Sequence, residues 1–305
     1  GKKAVLNGVN LDIKPGKIFG IIGESGSGKT TILRLIIGFY KPSKGVVIFD
    51  KKDIKKQKQV IDKNFGFATQ DNSFYDSLTV EENLRYFGKL YGLNEEFLSS
   101  HIQRTLELVD LTDAKKVLGM HLSGGMKRRL DLACSIIHNP SVLILDEPTE
   151  DLDPHLRSEL MELIKEINRR GATIIFTTHL IDEAEYLCDE VAVISEGRVI
   201  KVGSVSDLRN SFAYNEEIHL ILDGANYSKY IKKLRNFDIN VVRNKLVIYL
   251  PPKMKAITLL KKIFGWIETN KDRIILADIR KPSLSEVFVN ITKNARKTKK
   301  TENRE

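Results

Sequence analysis

Three short stretches hold residues whose types and spacing suit phosphate chemistry. The first is Gly23-Glu24-Ser25-Gly26-Ser27-Gly28-Lys29-Thr30-Thr31. Its glycines let the backbone curl so that successive N–H groups converge on phosphate oxygens. Lys29 is placed to reach terminal phosphates, and the Thr30 hydroxyl to ligate Mg2+. The second is Asp146-Glu147, which closes the apolar run Val142-Leu143-Ile144-Leu145. One carboxylate there can hold Mg2+ while its neighbour polarises an attacking water. Alone, an acidic pair after a strand is an ordinary cap for the next element; alongside the lysine loop it acquires chemical meaning. The third is Leu122-Ser123-Gly124-Gly125-Met126, a glycine turn that runs into a helix over Lys127–Ile137. Free N–H groups at such a helix start attract anions, and Ser123 adds a hydroxyl. Ser123 serves equally well as a plain helix N-cap.

These stretches need a scaffold, and the pattern around them supplies one. The apolar run Ile18-Phe19-Gly20-Ile21-Ile22 reads as a buried strand, and a helix comes next from Lys29 to about Ile37. Strand-like alternation also runs from Val5 to Ile13. Residues 80–135 read mostly as helix. A helix from Pro154 places Leu156, Leu160, Leu163, Ile164 and Ile167 on one face, with Asp153 as N-cap and Gly171 as stop. Thr173–Thr178 reads as another buried strand, ending at His179, and a hairpin turns at Glu196-Gly197. Alternating strands and helices predict a largely parallel sheet with its chemistry at the strand ends. From about Asn215 the order becomes strand, helix, two strands around Arg243-Asn244, helix and strand. A last helix opens with Ser283-Leu284-Ser285-Glu286 after Pro282. That order predicts a small ferredoxin-like α+β module.

Composition bounds the setting. The chain has 305 residues, of which 42% are apolar and 29% charged, an ordinary globular balance. No stretch approaches the roughly 18 uncharged apolar residues of a membrane-spanning helix. No signal-peptide pattern opens the sequence. It starts at Gly1 rather than Met, which suggests a trimmed or excised segment. Cys134 and Cys188 lack zinc spacing, and a reduced cytosolic setting is expected. The net charge is +9, and residues 293–305 carry six basic and two acidic residues. That tail reads as a solvated, disordered end, although such runs also attract anionic lipid or nucleic acid.

Taken in order, Gly23–Thr30, Gln70, Leu122-Ser123-Gly124-Gly125, Leu145-Asp146-Glu147-Pro148, Leu152-Asp153 and His179 resemble the Walker A, Q-loop, signature, Walker B, D-loop and H-loop motifs of ABC nucleotide-binding domains. The resemblance covers about residues 1–212. It implies an α/β P-loop NTPase fold with a helical subdomain, binding ATP and Mg2+ and hydrolysing ATP. Two copies would pair head to tail, so that Ser123, Gly124, Gly125 and Met126 of one close over ATP held by the other. It makes Glu147, His179 and Gln70 the catalytic set, with Gln70 sensing Mg2+ and the attacking water. Thr30, Gln70 and Asp146 become the metal set, and Asp153 communicates across the dimer. Met126 stands where many members have Gln, and Glu150-Asp151 replaces the usual small residues before the D-loop. The aromatic residue on which the family stacks adenine is not seen before the first strand.

Asn72–Leu84 resembles the start of the helical subdomain in ABC exporters, where a groove receives a short helix of the membrane subunit. Phe74, Tyr75 and Leu78 are candidates for that groove or for internal packing. The ending Lys281–Thr292 resembles the C-terminal module of ATPases that serve drug, lipid and polysaccharide exporters. The domains expected are 1–212, 213–292 and the tail 293–305. The resemblance implies the ATPase subunit of an exporter, peripheral on the cytoplasmic face of a membrane and driving a separate polytopic membrane subunit. A soluble ATPase acting on ribosomes or nucleic acid is the alternative. One ATPase unit, and too little chain between Lys29 and Ser123 for a long coiled coil, argue against it.

Overall fold

The computed structural model describes residues 4–56, 58–69, 73–210, 216–224, 226–251, 254–280 and 288. Gln70, the helix expected after Pro282 and the basic tail lie outside the described residues. The chain divides into two compact units, Gly1–Ser204 and Val205–Glu305, a division slightly ahead of the 212/213 boundary expected from sequence.

In the first unit the elements run β1 (Ile18–Gly23), α1 (Lys29–Ile36), β2 (Ile48–Phe49), β3 (Lys52–Asp53), α2 (Lys58–Asn64), β4 (Phe65–Ala68), α3 (Val80–Leu90), α4 (Glu95–Leu108), α5 (Gly124–Ile136), β5 (Val142–Asp146), α6 (Pro154–Arg169), β6 (Thr173–Thr178), α7 (Ile181–Leu187), β7 (Glu190–Ser195) and β8 (Arg198–Ser204). The main sheet has the order β4-β5-β6-β1-β7-β8. Its first five strands are parallel, and β8 closes the edge antiparallel to β7.

Why the sheet has two covered faces is visible in its alternation. Ile18, Leu143, Leu145, Ile174 and Phe176 join the core built with α3, α4, α5 and α6. Phe19, Ile21, Ile144, Ile175 and Ile194 point the other way, to Ile32 and Leu33 of α1. Each such side chain withdrawn from water stabilises by about 1.5–3 kcal/mol. Parallel pairing also sends the C-terminal ends of β4, β5, β6 and β1 to one edge, where the motif residues stand.

Residues 5–13 depart from the alternation expected of a strand. Leu6, Val9, Leu11 and Ile13 do pack on the core beside α1, but the segment forms no ladder and is held by Asn7 N–H donating to Gly197 O at 2.8 Å. Partial burial of Leu6, Val9, Leu11 and Ile13 produces the sequence pattern there. Caps fix the helix starts: Thr79 and Glu82 form a reciprocal capping box on α3, and Asp153 caps α6 with Pro154 at its first turn.

The second unit contains α8 (Val205–Asn210), β9 (Glu217–Leu222), α9 (Ser228–Lys233), β10 (Asp238–Val242), β11 (Lys245–Tyr249), α10 (Ala256–Asn270) and β12 (Ile274–Arg280). Its sheet runs β10-β11-β9-β12 with every neighbour antiparallel. This is the split βαβ arrangement expected from the element order. Ile218, Leu220, Leu222, Leu246 and Ile248 meet Tyr230 and Ile263 of the two helices in one core. The Tyr227 hydroxyl donates to Asn244 O at 2.7 Å, pinning the β10–β11 turn.

Candidate functional site

The loop between β1 and α1 folds around its own lysine. Gly26 and Gly28 adopt φ of 75° and 110°, left-handed values that favour glycine. Lys29 is 4% exposed. Its Nζ donates to Gly23 O at 3.0 Å and Glu24 O at 3.3 Å, and pairs with Glu147 Oε1 at 3.1 Å. Ser27 Oγ is buried in the same loop with no partner, an unmet polar atom of the kind a phosphate oxygen satisfies. Glu24 and Ser25 at the loop tip are exposed, while Thr30 and Thr31 open the helix half-buried.

The two carboxylates at the end of β5 raise a geometric difficulty, because consecutive strand residues point to opposite faces. Glu147 resolves it with a left-handed φ of 49°, a conformation costing about 1–2 kcal/mol outside glycine. Thr177 of β6 holds the turn. Its hydroxyl donates to Asp146 Oδ1 at 2.5 Å and accepts from Glu147 N–H at 3.1 Å. Thr30 Oγ1 donates to the same Asp146 Oδ1 at 3.2 Å. A hydroxyl and a carboxylate side by side are hard oxygen donors that suit Mg2+, so two of the three expected metal-binding residues are brought together. Gln70, the third, lies outside the described residues.

His179 stands just after β6 and contacts Glu147 Oε2 through Nδ1 at 2.8 Å. Burial pushes the Glu147 carboxyl up, but Lys29 and then His179 outweigh it and hold the group below the usual carboxylate range. Glu147 therefore sits ionised between two donors. Glu147, Glu150 and His179 also form a compact group of the type that binds cations. Glu147 is already engaged there by Lys29 and His179, so the hydroxyl–carboxylate pair of Thr30 and Asp146 fits a metal better.

A second network supports this one. Glu183 of α7 is 3% exposed and accepts from Thr149 at 2.5 Å and Thr178 at 2.7 Å. Arg157 of α6 lies 3.4 Å from it and donates to Leu152 O. One carboxylate thus ties together the chain after Glu147, the residue before His179 and the helix that starts at Asp153. Asp153 itself is exposed and accepts from His155 and Leu156 N–H groups, as an N-cap does.

Ser123 caps α5 by accepting from Met126 N–H at 3.3 Å. Ser123 and Gly124 are exposed, while Gly125 is buried against Leu156, whose side chain lies 2.8 Å from where a Cβ would stand. Gly125 is therefore demanded by close packing on α6. The signature residues make their contacts on this turn and on α6 rather than with the Lys29–Glu147 pair. Of the three groove candidates, Phe74 is 7% exposed and packs over Gly119, Leu78 is half-buried, and Tyr75 is exposed beside Tyr86. Phe74 thus belongs to internal packing, since the loop closes on Gly119 where no side chain intervenes.

Thr177, Glu183 and Asp131 escape a reading of the sequence by motif. Thr177 and Asp131 leave the same signal, a polar residue inside an otherwise apolar run, as in Thr173-Ile174-Ile175-Phe176-Thr177 and Leu130-Asp131-Leu132; Glu183 lies between Asp182 and Glu185 and leaves none.

Comparison with known proteins places this geometry. Residues 6–150 match the ABC transporter family model. The linearmycin resistance ATP-binding protein LnrL of Bacillus subtilis is 30% identical over 96% of this chain and 94% of its own. The Nod factor export ATP-binding protein I of Paraburkholderia xenovorans is 38% identical over 68% of both chains. A solved ATP-binding cassette, described as a dimer in a post-hydrolysis state bound to ADP and Pi, superposes with a TM-score of 0.60 at 27% identity. It covers 67% of this chain and 93% of that one. With its phosphate loop, paired carboxylates and near full-length relatives, the chain belongs to the ATP-hydrolysing, ATP-binding proteins of the ABC transporter family, with relatives in export and drug resistance.

Proposed function

We propose that this chain is the motor of an exporter, in which ATP closes two copies head to tail and a separate polytopic membrane subunit is driven by their opening and closing. The observation that carries the reading is the cluster at the sheet edge: Lys29 on Glu147, Glu147 on His179, and Thr30 with Thr177 on Asp146.

In this reading the loop N–H groups and Lys29 bind the ATP phosphates. Thr30, Asp146 and Gln70 would hold Mg2+, which would supply neutralisation of the phosphate charge. Glu147 accepts a proton from the attacking water, and His179 orients that carboxylate and meets the γ-phosphate. Ser123, Gly124, Gly125 and Met126 cover ATP bound by the second copy, and Asp153 stands at the contact between copies. Phosphoryl transfer depends on placing charges already present, so few side chains suffice. The domains are 1–212 for the nucleotide-binding part, 213–292 for an accessory module and 293–305 for a basic tail. Among the described residues no helix is long and apolar enough to cross a membrane; the place proposed for the chain is peripheral, on the cytoplasmic face. Tyr75 is the exposed member of the proposed docking groove.

Two experiments test the reading. Glu147→Gln is expected to retain ATP binding, lose at least ~100-fold in turnover and accumulate as an ATP-bound dimer; normal turnover would remove Glu147 from its place. A tagged chain pulled from detergent-solubilised native membranes is expected to bring a polytopic protein in fixed ratio. Recovery with ribosomes or nucleic acid would transfer the case to the soluble alternative.

A further inference from the structure

α5 begins at the signature turn and runs into the core with an apolar face, Leu130, Leu132, Ala133 and Cys134 all being buried. Asp131 interrupts that face. It is 3% exposed, and its Oδ1 accepts from the backbone N–H of Ser73 at 2.7 Å. Burial pushes its carboxyl up to about 6 against the bond from Ser73 and the charge of Arg128, so the group stands in the protein at a cost in desolvation.

The surroundings explain why a charge stands there. Asp131 borders a small cavity together with Thr69 from the exit of β4, Leu145 and Pro148 on either side of Asp146-Glu147, and Leu160 of α6. The Thr69 and Ser73 hydroxyls also meet at 3.2 Å. Thr69 and Ser73 bracket Gln70 in the sequence. A single side chain therefore ties Ser73, and through it Thr69, to the helix that carries the signature turn, beside the strand end that bears Glu147.

We propose that Asp131 is a positioning residue for ATP hydrolysis, fixing Ser73, and through its hydroxyl Thr69 at the exit of β4, to the signature helix beside the strand end that bears Asp146 and Glu147. The inference rests on the proposed roles of Glu147 and the signature turn. In this proposal Asp131 acts through Ser73 and not on the reacting atoms. An ionised acceptor makes a shorter and stronger bond to an N–H than an amide does, which gives the carboxylate its advantage over asparagine at this position.

The test is steady-state ATPase kinetics of the full chain, with affinity for a non-hydrolysable ATP analogue measured in parallel. Asp131→Ala is expected to lower kcat about ten-fold, the loss of one charge-assisted hydrogen bond, with analogue Kd changed less than about two-fold. Asp131→Asn, whose amide oxygen still accepts from Ser73, is expected to recover most of the rate. Ser73→Pro removes the N–H together with the hydroxyl that meets Thr69, Ser73→Ala removes the hydroxyl alone as its control, and both leave Asp131 in place, so the test stays open if Asp131→Ala fails to fold. Ser73→Pro is expected to lose kcat as Asp131→Ala does, and the double variant to lose no more. Wild-type kcat in Ser73→Pro, no recovery in Asp131→Asn, or a parallel collapse of Kd would overturn the proposal. Glu147→Gln run alongside separates the cases: if it turns over normally, the site assignment itself has failed, whereas its silence with an active Ser73→Pro condemns only the role of Asp131.

Discussion

Replacing Asp131 by Asn is expected to make the first unit more stable, and by an amount that depends on pH. A carboxyl that titrates at about 6 in the fold and at 3.8 when free has its charged form disfavoured in the native state by about 3 kcal/mol. Because the folded pKa is raised, the native state binds the proton more tightly than the unfolded chain between 3.8 and about 6. Stability from this group therefore falls as pH rises through that window and is flat above it. At pH 8 the full penalty applies; at pH 5 only about half remains, near 1.5 kcal/mol. The groups facing Asp131 leave the window clear. Beside Asp131 stand the Arg128 guanidinium and Tyr91 and Cys134, which burial pushes up, away from that window. Urea unfolding of wild type and Asp131→Asn, monitored by circular dichroism at pH 8 and pH 5, reads the difference. The stability gap between the two proteins should shrink by about 1.5 kcal/mol on acidification. A gap that does not change with pH, or that widens, would mean that the carboxylate is compensated in the fold and carries no such penalty.

Lys29→Ala should weaken ATP binding at least ~10-fold by removing the loop cation; unchanged affinity in equilibrium dialysis would count against the placement of that loop. Thr177→Val keeps the shape but loses both bonds that hold the Asp146–Glu147 turn. It should cost about 1–3 kcal/mol in unfolding free energy and lower kcat more than it raises KM, so an unaffected rate would free Thr177 of this task. His138 stacks on Tyr91 and meets Phe65 O; burial lowers its pKa to about 4 despite that bond. Its neutral form is the native one, so its contribution is complete above the free value near 6.5 and is lost as pH falls toward 4. His138→Gln should flatten that part of the stability profile, and an unaltered slope between about pH 6.5 and 4.5 would disprove it.

The nucleotide site is legible in the sequence because its residues are contiguous. Gly23–Thr30 and Asp146-Glu147 each sit at the end of an apolar run, and parallel pairing of those runs forces them to one edge. The supports are less legible, since their partners are far apart in sequence. Thr177 meets Asp146 across β5–β6, and Asp131 meets Ser73 from another helix; neither pairing has a periodicity to announce it. Residues 5–13 mislead for the opposite reason. Leu6, Val9, Leu11 and Ile13 are half-buried, but alternation records burial and not hydrogen bonding, and the segment packs without joining a ladder. In the second unit, strand order could be read from element order because few ways of closing βαββαβ exist.

The contact between Lys29 and Glu147 couples two ends of the site. The ammonium that ends the glycine loop is neutralised by the carboxylate that follows β5, and His179 holds that carboxylate by its other oxygen. On the proposed function, an arriving phosphate would compete with Glu147 for Lys29, so that binding at the loop and the freedom of the strand-end carboxylate would be two sides of one exchange.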